Sequence, residues 1–342
     1  MKVQLLNKIS PEGLKHFDVS MYETGDNFDD YDAILVRSAS LHEMEFPQSL
    51  KCIARAGAGV NNIPLQRCSE QGIVVFNTPG ANANAVKELT IAGLLLASRK
   101  IVKGIEWVKT LDPKDIAKTV EKGKSQFAGP EIMGKKLGVI GLGAIGVQVA
   151  NAAAALGMDV YGYDPYISVN AAWTLKARIH HITQLKTIFE ECDYITLHLP
   201  LLDSTRGMLN EEAFAQMKDG VRIVNFARDG LIEQDALISA IENGKVAAFV
   251  TDFADEKLLH LEQVIITPHL GASTPESEDN CARMAVEETR EYLETGNIRN
   301  SVNMPALSLE PSAQNRICII NRNVPNMVAK ISSQLGQYGI NI

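Results

Sequence analysis

The chain has 342 residues, of which 46% are hydrophobic and 22% charged, so it is long enough for two domains and too apolar to be intrinsically disordered. Its 33 Lys and Arg residues against 41 Asp and Glu residues give a formal net charge of −8 at pH 7. Nonspecific binding to nucleic acid needs a basic surface, so we expect no nucleic-acid partner.

The apolar stretches and the cysteines indicate a soluble, cytoplasmic protein with no membrane association. The run at residues 1–6 meets Asn7 and Lys8 too soon for a signal peptide, and the longest apolar run, 91–98, is far shorter than a membrane span of about 20 residues. The five cysteines are Cys52, Cys68, Cys192, Cys281 and Cys318. They are scattered and form no C-x-x-C pair, which is typical of reduced thiols.

The first part of the chain alternates short apolar runs with polar, glycine-containing turns. Strands are predicted at residues 3–6, 33–36, 52–54 and 74–76. Their spacing, with helical patterns between them, favours a small parallel α/β domain. Residues 84–110 follow and are predicted to form one long helix.

A second α/β series begins at Lys136. Strands are predicted at 137–140, 159–163, 194–197, 222–225, 247–251 and 264–267, and helices after the glycine turn of 141–146 and at 185–190, 210–217 and 233–242. This alternation predicts a doubly wound parallel sheet. An amphipathic helix over 276–295 is expected to cross back to the first domain.

The tail has a different pattern. Residues 301–314 are polar and carry Pro305 and Pro311, so they are predicted to form a linker. A strand is predicted at 316–320, a helix at 324–338 and the start of another strand at 339–342. Because such a fragment cannot close a core alone, we expect that the chain is cut short within a domain.

A glycine-rich motif indicates a dinucleotide site. The run Gly141-Leu142-Gly143-Ala144-Ile145-Gly146 directly follows a predicted strand and opens a helix, where backbone N–H groups can approach a pyrophosphate. Asp164 lies 18 residues after Gly146, at the end of the next strand, where its carboxylate can accept hydrogen bonds from a ribose 2′-hydroxyl. The same carboxylate would repel a 2′-phosphate, so the sequence predicts NAD instead of NADP. The alternative is a turn that only tightens helix–sheet packing.

Two side chains at later strand ends suggest chemistry on a 2-oxo or 2-hydroxy acid. Arg228 follows one predicted strand, and a guanidinium can grip a carboxylate with two hydrogen bonds; the alternative is an exposed arginine paired with Asp229. His269 follows another, and an imidazole with an ordinary pKa of about 6.5 can exchange a proton near neutrality; the alternative is a core histidine. No His/Cys/Asp cluster has metal-ligand spacing, so no metal is expected.

Several motifs together resemble the D-2-hydroxyacid dehydrogenase family. They are the run 141–146, Asp164-Pro165, the stretch 193–201, Asn225-Phe226-Ala227-Arg228-Asp229-Gly230 and Pro268-His269-Leu270-Gly271-Ala272. Within the family, Val36-Arg37-Ser38 and the stretch 54–60 are most similar to the phosphoglycerate dehydrogenases. In the tail, 321–325 and 339–342 resemble the first half of an ACT regulatory domain.

The resemblance implies roles for individual residues. Arg228 matches the substrate-binding arginine and His269 the acid/base histidine. The orienting glutamate of the family matches Glu256, with Asp255 as the alternative, because the local pattern is one residue shorter and lacks its proline. Asp252 matches the residue that meets the nicotinamide carboxamide.

The resemblance also implies two larger residue sets. The expected cofactor-binding residues are Gly141, Gly143, Ala144, Ile145, Gly146, Asp164, His198, Pro200, Ala227, Asp252 and Gly271. The expected substrate-binding residues are Gly57, Ala58 and Gly59 through backbone N–H groups, Arg228, and Arg37 and Arg55 for a phosphate. Lone arginines at strand ends are also often simple surface charges.

The expected fold is α/β, with two Rossmann-like or flavodoxin-like parallel-sheet domains, a cleft between them and the start of an α+β ACT domain. Residues 1–81 and 281–306 are assigned to the substrate-binding domain, 82–280 to the NAD-binding domain and 307–342 to the linker and incomplete ACT domain. The helix over 84–110 matches the dimerisation region of the family, so a homodimer through the NAD-binding domains is expected.

The resemblance implies the NAD-dependent oxidation of 3-phospho-D-glycerate to 3-phosphohydroxypyruvate, the first step of serine synthesis. A glyoxylate/hydroxypyruvate reductase and a 2-oxoglutarate reductase are alternatives within the family. An NAD-sensing protein similar to transcriptional corepressors is an alternative of another class.

Overall fold

The computed structural model describes residues 1–176, 178–310 and 317–340, which contain two parallel β-sheets. The strands of the first sheet are β1 (Lys2–Leu6), β2 (Glu23–Gly25), β3 (Ala33–Val36), β4 (Cys52–Arg55) and β5 (Val74–Asn77). They lie in the order β2-β1-β3-β4-β5, and every neighbouring pair is parallel. Four of these strands confirm the prediction, since their apolar residues are buried on both faces of the sheet.

The second sheet is also parallel throughout. Its strands are β6 (Lys136–Ile140), β7 (Asp159–Tyr163), β8 (Ile179–Ile182), β9 (Tyr194–Leu197), β10 (Val221–Asn225), β11 (Val246–Thr251) and β12 (Val264–Ile266). The order β12-β11-β10-β9-β6-β7-β8 changes direction between β6 and β9. In open α/β sheets, ligands bind at such a switch point, beyond the carboxyl ends of the strands.

The helices of the described residues are α1 (Pro11–Leu14), α2 (Leu65–Glu70), α3 (Ala83–Ser98), α4 (Ile101–Lys109), α5 (Ile116–Gly123), α6 (Ala144–Ala155), α7 (Val169–Thr174), α8 (Leu185–Glu191), α9 (Glu211–Gln216), α10 (Gln234–Glu242), α11 (Pro275–Thr295) and α12 (Met327–Gln337). Of these, α2, α3, α6, α8, α10 and α11 pack on strands of the two sheets. A short 3-10 helix spans Lys124–Phe127. Buried apolar clusters lie on each face of both sheets, so each sheet has a core of its own.

The predicted single helix over 84–110 is wrong, because the chain forms two helices there. Helix α3 ends at Ser98, and Arg99 is extended, with φ −116° and ψ 132°. The segment around Gly129 crosses this end so closely that a Cβ on Gly129 would lie 2.2 Å from the carbonyl oxygen of Ser98. A long-range backbone contact therefore coincides with the break, and the apolar pattern of 84–110 gives no sign of it.

Helix α11 crosses back to the first sheet, as the sequence predicts. It packs on α1, β4 and β5, and a Cβ on Gly13 would lie only 2.4 Å from the Cβ of Ala282. The two helices therefore meet through small residues, which allows close approach. This packing ties the chain after the second sheet to the first domain.

The edge strands and the tail differ from the sequence predictions. β2 and β8 were not predicted, because these short edge strands have the polar sequences ETG and IHHI. In the tail, residues 317–320 have no regular structure, contrary to the predicted strand over 316–320, while α12 confirms the predicted helix. Residues 311–316 and 341–342, which include parts of the predicted linker and strands, lie outside the described residues.

Candidate active site

The carboxyl ends of the two sheets meet at one cleft of about 620 Å³. Arg37 directly follows β3 and Arg55 ends β4, while Arg228 follows β10 and His269 follows β12. All four side chains line the cleft, as do the residues of the loop 57–60. The structure thus brings together residues that the sequence places far apart. A larger cavity of about 1330 Å³, between the first sheet and the tail, contains none of these four.

The loop 57–60 offers free backbone donors to the cleft. Two of its carbonyl groups are engaged, because Thr78 N–H donates to Gly57 O (3.2 Å) and Asn77 Nδ2 donates to Ala58 O (2.6 Å). The N–H of Gly57 is also used, by Arg55 O at 2.8 Å. Among the described residues, the N–H groups of 58–60 have no hydrogen-bond acceptor. An anion can therefore be held by residues 58–60, whereas Gly57 is needed for the shape of the loop.

Close packing of Arg55 explains the glycine at 57. A Cβ on Gly57 would lie 2.6 Å from Arg55 Nη1, so the guanidinium lies directly against this backbone. Burial lowers the pKa of Arg55 from its ordinary value, and the nearby charges of Arg228 and Arg37 lower it further. Like charges are held together only where an anion or solvent compensates them, so this arrangement favours an anionic ligand.

Arg228 projects from a loop that is held by the end of β10. The buried Asn225 accepts a hydrogen bond from Ala227 N–H (3.1 Å) and donates one to Arg228 O (3.0 Å). Within the described part of the chain, the guanidinium donates only to Ala227 O, at 2.6 Å, and Asp229 accepts from Gly230 N–H. Arg228 is therefore exposed to the cleft and does not form the ion pair with Asp229 that the alternative interpretation required.

The His269 loop is built on a buried carboxylate. Asp252 Oδ1 accepts from Thr267 Oγ1 (2.6 Å) and Leu270 N–H (2.8 Å), and its Oδ2 accepts from Gly271 N–H (2.8 Å). His269 itself has a left-handed backbone, with φ 55°. Asp252 therefore sets the conformation that directs the imidazole into the cleft, a role that the sequence did not indicate.

Among the described residues, no carboxylate pairs with the His269 imidazole. Glu256 is exposed, and Asp255 accepts a local hydrogen bond from Lys257 N–H at 2.8 Å. Within the described residues, neither is hydrogen-bonded to His269. The imidazole instead forms a T-shaped contact with the ring of Phe253, with the ring centroids 5.4 Å apart. The orienting role assigned to Glu256, or to Asp255, thus stays a prediction.

The glycine turn lies at the switch point of the second sheet. Gly141 has φ 93°, and a Cβ on Gly146 would lie 1.9 Å from the carbonyl oxygen of Gly141. Glycine is therefore required at both positions. A Cβ on Gly143 would meet nothing within 4 Å, and no side chain caps the N-terminus of α6. The turn thus leaves open space in front of uncapped N–H groups, including those of Ala144 and Ile145, and this fits a pyrophosphate.

Asp164 links the turn to the next strand. It follows β7, and its carboxylate accepts hydrogen bonds from Leu142 N–H and Tyr166 N–H, both at 2.8 Å. These two bonds place the carboxylate beside the turn. Each of its oxygens retains a further lone pair for a ribose hydroxyl.

His198 lies behind the turn. A Cβ on Gly141 would lie 2.5 Å from the carbonyl oxygen of His198, so β9 and the turn are in close contact. Burial lowers the pKa of His198 to about 3, which keeps the imidazole neutral. Its Nε2 lies 3.1 Å from Thr196 Oγ1, and its buried Nδ1 has no partner among the described residues. Pro200, Ala227 and Gly271 lie on other loops at the same edge of the sheet.

Several residues of the cleft were not predicted from the sequence. Lys8 lies two residues after β1, and Glu278 lies in the first turn of α11; both line the cleft. Asn225 holds the backbone of Arg228 through a hydrogen bond. Its position as a polar residue at the end of a mostly apolar strand could have indicated this role from the sequence. No local pattern marks Lys8 or Glu278, since their position depends on how the strands and α11 are arranged.

The family follows from comparison with known proteins. Residues 91–271, more than half of the chain, match the D-isomer specific 2-hydroxyacid dehydrogenase, NAD binding domain. The chain belongs to this family. Its second sheet, with the glycine turn and Asp164, is therefore an NAD-binding domain, and the predicted family and cofactor are confirmed.

Three relatives illustrate the similarity. The D-3-phosphoglycerate dehydrogenase of Methanocaldococcus jannaschii is 38% identical over 290 residues, covering 82% of this chain and 53% of that protein. The hydroxypyruvate reductase of Thermotoga maritima is 41% identical over 259 residues, covering 72% of this chain and 80% of that protein. The NAD⁺-bound 3-phosphoglycerate dehydrogenase of Entamoeba histolytica has a TM-score of 0.69 at 26% identity, covering 89% and 98% of the two chains. The chain spans about half the length of the phosphoglycerate dehydrogenase of M. jannaschii.

Two further properties concern the described part of the chain. In residues 1–176, 178–310 and 317–340, no three His, Cys, Asp or Glu side chains are grouped so that they could hold a metal ion. In the same ranges, no helix has both the length and the apolar character needed to cross a membrane.

The open face of Gly143 leads to a prediction about cofactor binding. Gly143→Ala should leave the fold intact, because the added Cβ meets no atom within 4 Å and the φ of −74° suits alanine. The methyl group would occupy the surface that a pyrophosphate must approach, so we expect the Kd for NADH to rise by about tenfold or more. Fluorescence titration with NADH and thermal unfolding of the free protein measure the two effects. Gly336→Ala, in α12 and equally free of contacts, is the matched control; an unchanged Kd for Gly143→Ala would contradict the assignment.

Proposed function

We propose that this protein is an NAD-dependent D-2-hydroxyacid dehydrogenase that converts 3-phospho-D-glycerate to 3-phosphohydroxypyruvate, the first step of serine synthesis. The observation that carries the proposal is the convergence of His269, Arg228 and the free N–H groups of 58–60 on one cleft, beside Arg37 and Arg55. An acid/base group, a carboxylate site and further cations are what this substrate requires. The names of the M. jannaschii and E. histolytica relatives agree with it.

In the proposed reaction, His269 takes the proton of the C2 hydroxyl group. NAD, when bound, supplies the acceptor for the C2 hydride. Arg228 and the N–H groups of 58–60 hold the substrate carboxylate, which fixes C2 beside the imidazole. In the reverse direction His269 returns the proton to the carbonyl oxygen.

The remaining roles concern orientation and the phosphate. Arg37 and Arg55 are proposed to bind the phosphoryl group, supported by their position at adjacent strand ends in the cleft. Glu256 is proposed to reach His269 when the domains close over the substrate, which would also exclude water. Asp164 is proposed to bind the adenosine ribose and so to select NAD over NADP.

The proposed domain assignment follows the sequence analysis. Residues 1–81 and 281–306 carry the substrate domain and 82–280 the NAD-binding domain, supported by the packing of α11 on the first sheet. Residues 307–342 are proposed to be a linker and part of an ACT domain, supported by α12 alone. A cytoplasmic location accords with the proposed metabolic role.

A second candidate is hydroxypyruvate reduction. It is favoured by the T. maritima relative, of which the chain covers 80% at 41% identity. The two functions differ at the phosphoryl group, since the carboxylate and C2 are the same in both substrates.

A substrate panel tests the proposal. NADH consumption by the full chain should be followed with 3-phosphohydroxypyruvate, hydroxypyruvate, glyoxylate and 2-oxoglutarate. We expect the highest kcat/KM with 3-phosphohydroxypyruvate. A higher value for hydroxypyruvate would favour the second candidate, and no turnover with any of the four would contradict a dehydrogenase.

We also propose a homodimer through the NAD-binding domains. Helix α4 exposes a row of aliphatic side chains, with Ile101 43%, Ile105 52% and Val108 47% accessible. Such a patch on one helix face is typical of a subunit interface. Ile105→Asp should convert a dimer into a monomer in analytical ultracentrifugation. Val19→Asp, at a 92% accessible position in the first domain, should remain dimeric; a wild-type monomer would contradict the proposal.

A further inference from the structure

Three neighbouring strands of the first sheet each end at or near a basic residue that lines the cleft. Leu6 of β1 is in register with Val36 of β3, which is in register with Arg55 of β4. Arg37 follows Val36 directly, and Lys8 lies two residues beyond Leu6. The row of strand ends therefore places Lys8, Arg37 and Arg55 along one wall of the cleft, and all three line it.

The loops that carry these side chains are joined by hydrogen bonds. Asn7 has a left-handed backbone, with φ 69°, and its Oδ1 accepts from Ser38 N–H (3.0 Å) and Ala39 N–H (2.6 Å). Arg55 Nε donates to Arg37 O at 3.0 Å. The position of each loop is thus set by its neighbour.

The three basic side chains differ in the hydrogen bonds and ion pairs that they already make. Arg37 Nη1 lies 2.8 Å from Glu278 Oε1, so one carboxylate offsets its charge. Arg55 is partly buried and donates through Nε to the backbone. Lys8 is exposed, and within the described residues its ammonium group has no hydrogen bond and no ion pair. Lys8 is therefore the cation of this wall that retains all of its donors.

We propose that Lys8 binds the phosphoryl group of the substrate and determines the preference for phosphorylated over unphosphorylated acids. This inference rests on the proposed function. A phosphoryl dianion carries more charge than the wall can balance through Arg55 and an Arg37 that is shared with Glu278. The free ammonium group of Lys8 supplies the missing charge, because Lys is a strong point donor to phosphate.

Lys8→Met tests the proposal, because it keeps the length of the side chain and removes the charge. The measured quantity is the ratio of kcat/KM for 3-phosphohydroxypyruvate to that for hydroxypyruvate. We expect this ratio to fall by about tenfold or more in Lys8→Met, because the loss of a hydrogen bond to a charged group weakens binding by about this factor. The ratio should recover in Lys8→Arg. Lys15→Met is the matched control, because Lys15 is exposed at the C-cap of α1 and pairs with Glu12 outside the cleft.

The outcomes separate this proposal from the proposed function. A wild-type protein that reduces neither acid contradicts the proposed function, and calorimetric binding of 3-phospho-D-glycerate and D-glycerate then tests Lys8 directly. A preference of the wild type for the phosphorylated ligand that is lost in Lys8→Met supports the proposal. The proposal is overturned if the preference is unchanged in Lys8→Met, if both ligands lose affinity equally, or if the wild type has no preference.

Discussion

Replacing His269 with Asn is expected to lower kcat by about 10²- to 10⁴-fold, the range associated with loss of a general acid/base group. Asparagine cannot exchange a proton near neutral pH, so the proton of the C2 hydroxyl would have no acceptor. It is also the conservative choice for the backbone, because Asn tolerates the left-handed conformation that His269 adopts, with φ 55°. The hydrogen bonds that hold the loop are accepted by the carboxylate of Asp252 and do not involve the imidazole.

Two measurements distinguish a chemical role for His269 from a structural one. The Kd for NADH, followed by fluorescence, should change little in His269→Asn, and the thermal midpoint of unfolding should also be preserved. His260→Asn is the control, because His260 is exposed on the same stretch of chain and does not line the cleft. Near-normal kcat in His269→Asn would refute the assigned role, and a parallel loss of NADH binding would point to a misfolded loop.

Replacing Arg228 with Lys is expected to lower kcat/KM for the 2-oxo acid by about 10²-fold. Lysine keeps the positive charge and loses the paired donors that match a carboxylate, so the loss measures bidentate binding. An interaction of this kind has a free energy of about 2–5 kcal/mol when one partner is removed. The stability of the fold should be unchanged, because Arg228 is exposed and, among the residues that the structure describes, its side chain donates only to the adjacent Ala227 O.

Steady-state kinetics with NADH and 3-phosphohydroxypyruvate check this expectation. Arg283→Lys is the control, since Arg283 is exposed on α11 and lies outside the cleft. If Arg228 binds the carboxylate in the ground state and in the transition state alike, KM should rise while kcat changes less. An unchanged kcat/KM would show that the N–H groups of 58–60 hold the carboxylate without the arginine.

Local sequence was sufficient to predict the central strands, the NAD site and the main catalytic candidates. A buried parallel strand is a short apolar run, and a dinucleotide turn needs glycines at fixed spacing. Both can therefore be recognised from residues that are adjacent in sequence. Arg228 and His269 were predicted because each lies within three residues of the end of such a run. The residues at strand ends meet whenever the strands form parallel sheets, which the alternation of strands and helices indicated.

Other features depend on groups that are distant in sequence, and only the tertiary structure decided them. The long helix predicted over 84–110 is interrupted where the chain at Gly129 crosses the end of α3. The two oxygens of Asp252 hold the His269 loop, which its predicted cofactor role did not indicate, and that cofactor role stays a prediction. Glu256 is exposed and makes no hydrogen bond to the imidazole among the described residues. Arg228 and Asp164 are determined by sequence motifs; Lys8 reaches the cleft because β1 lies beside β3, a neighbour relation that no local pattern encodes.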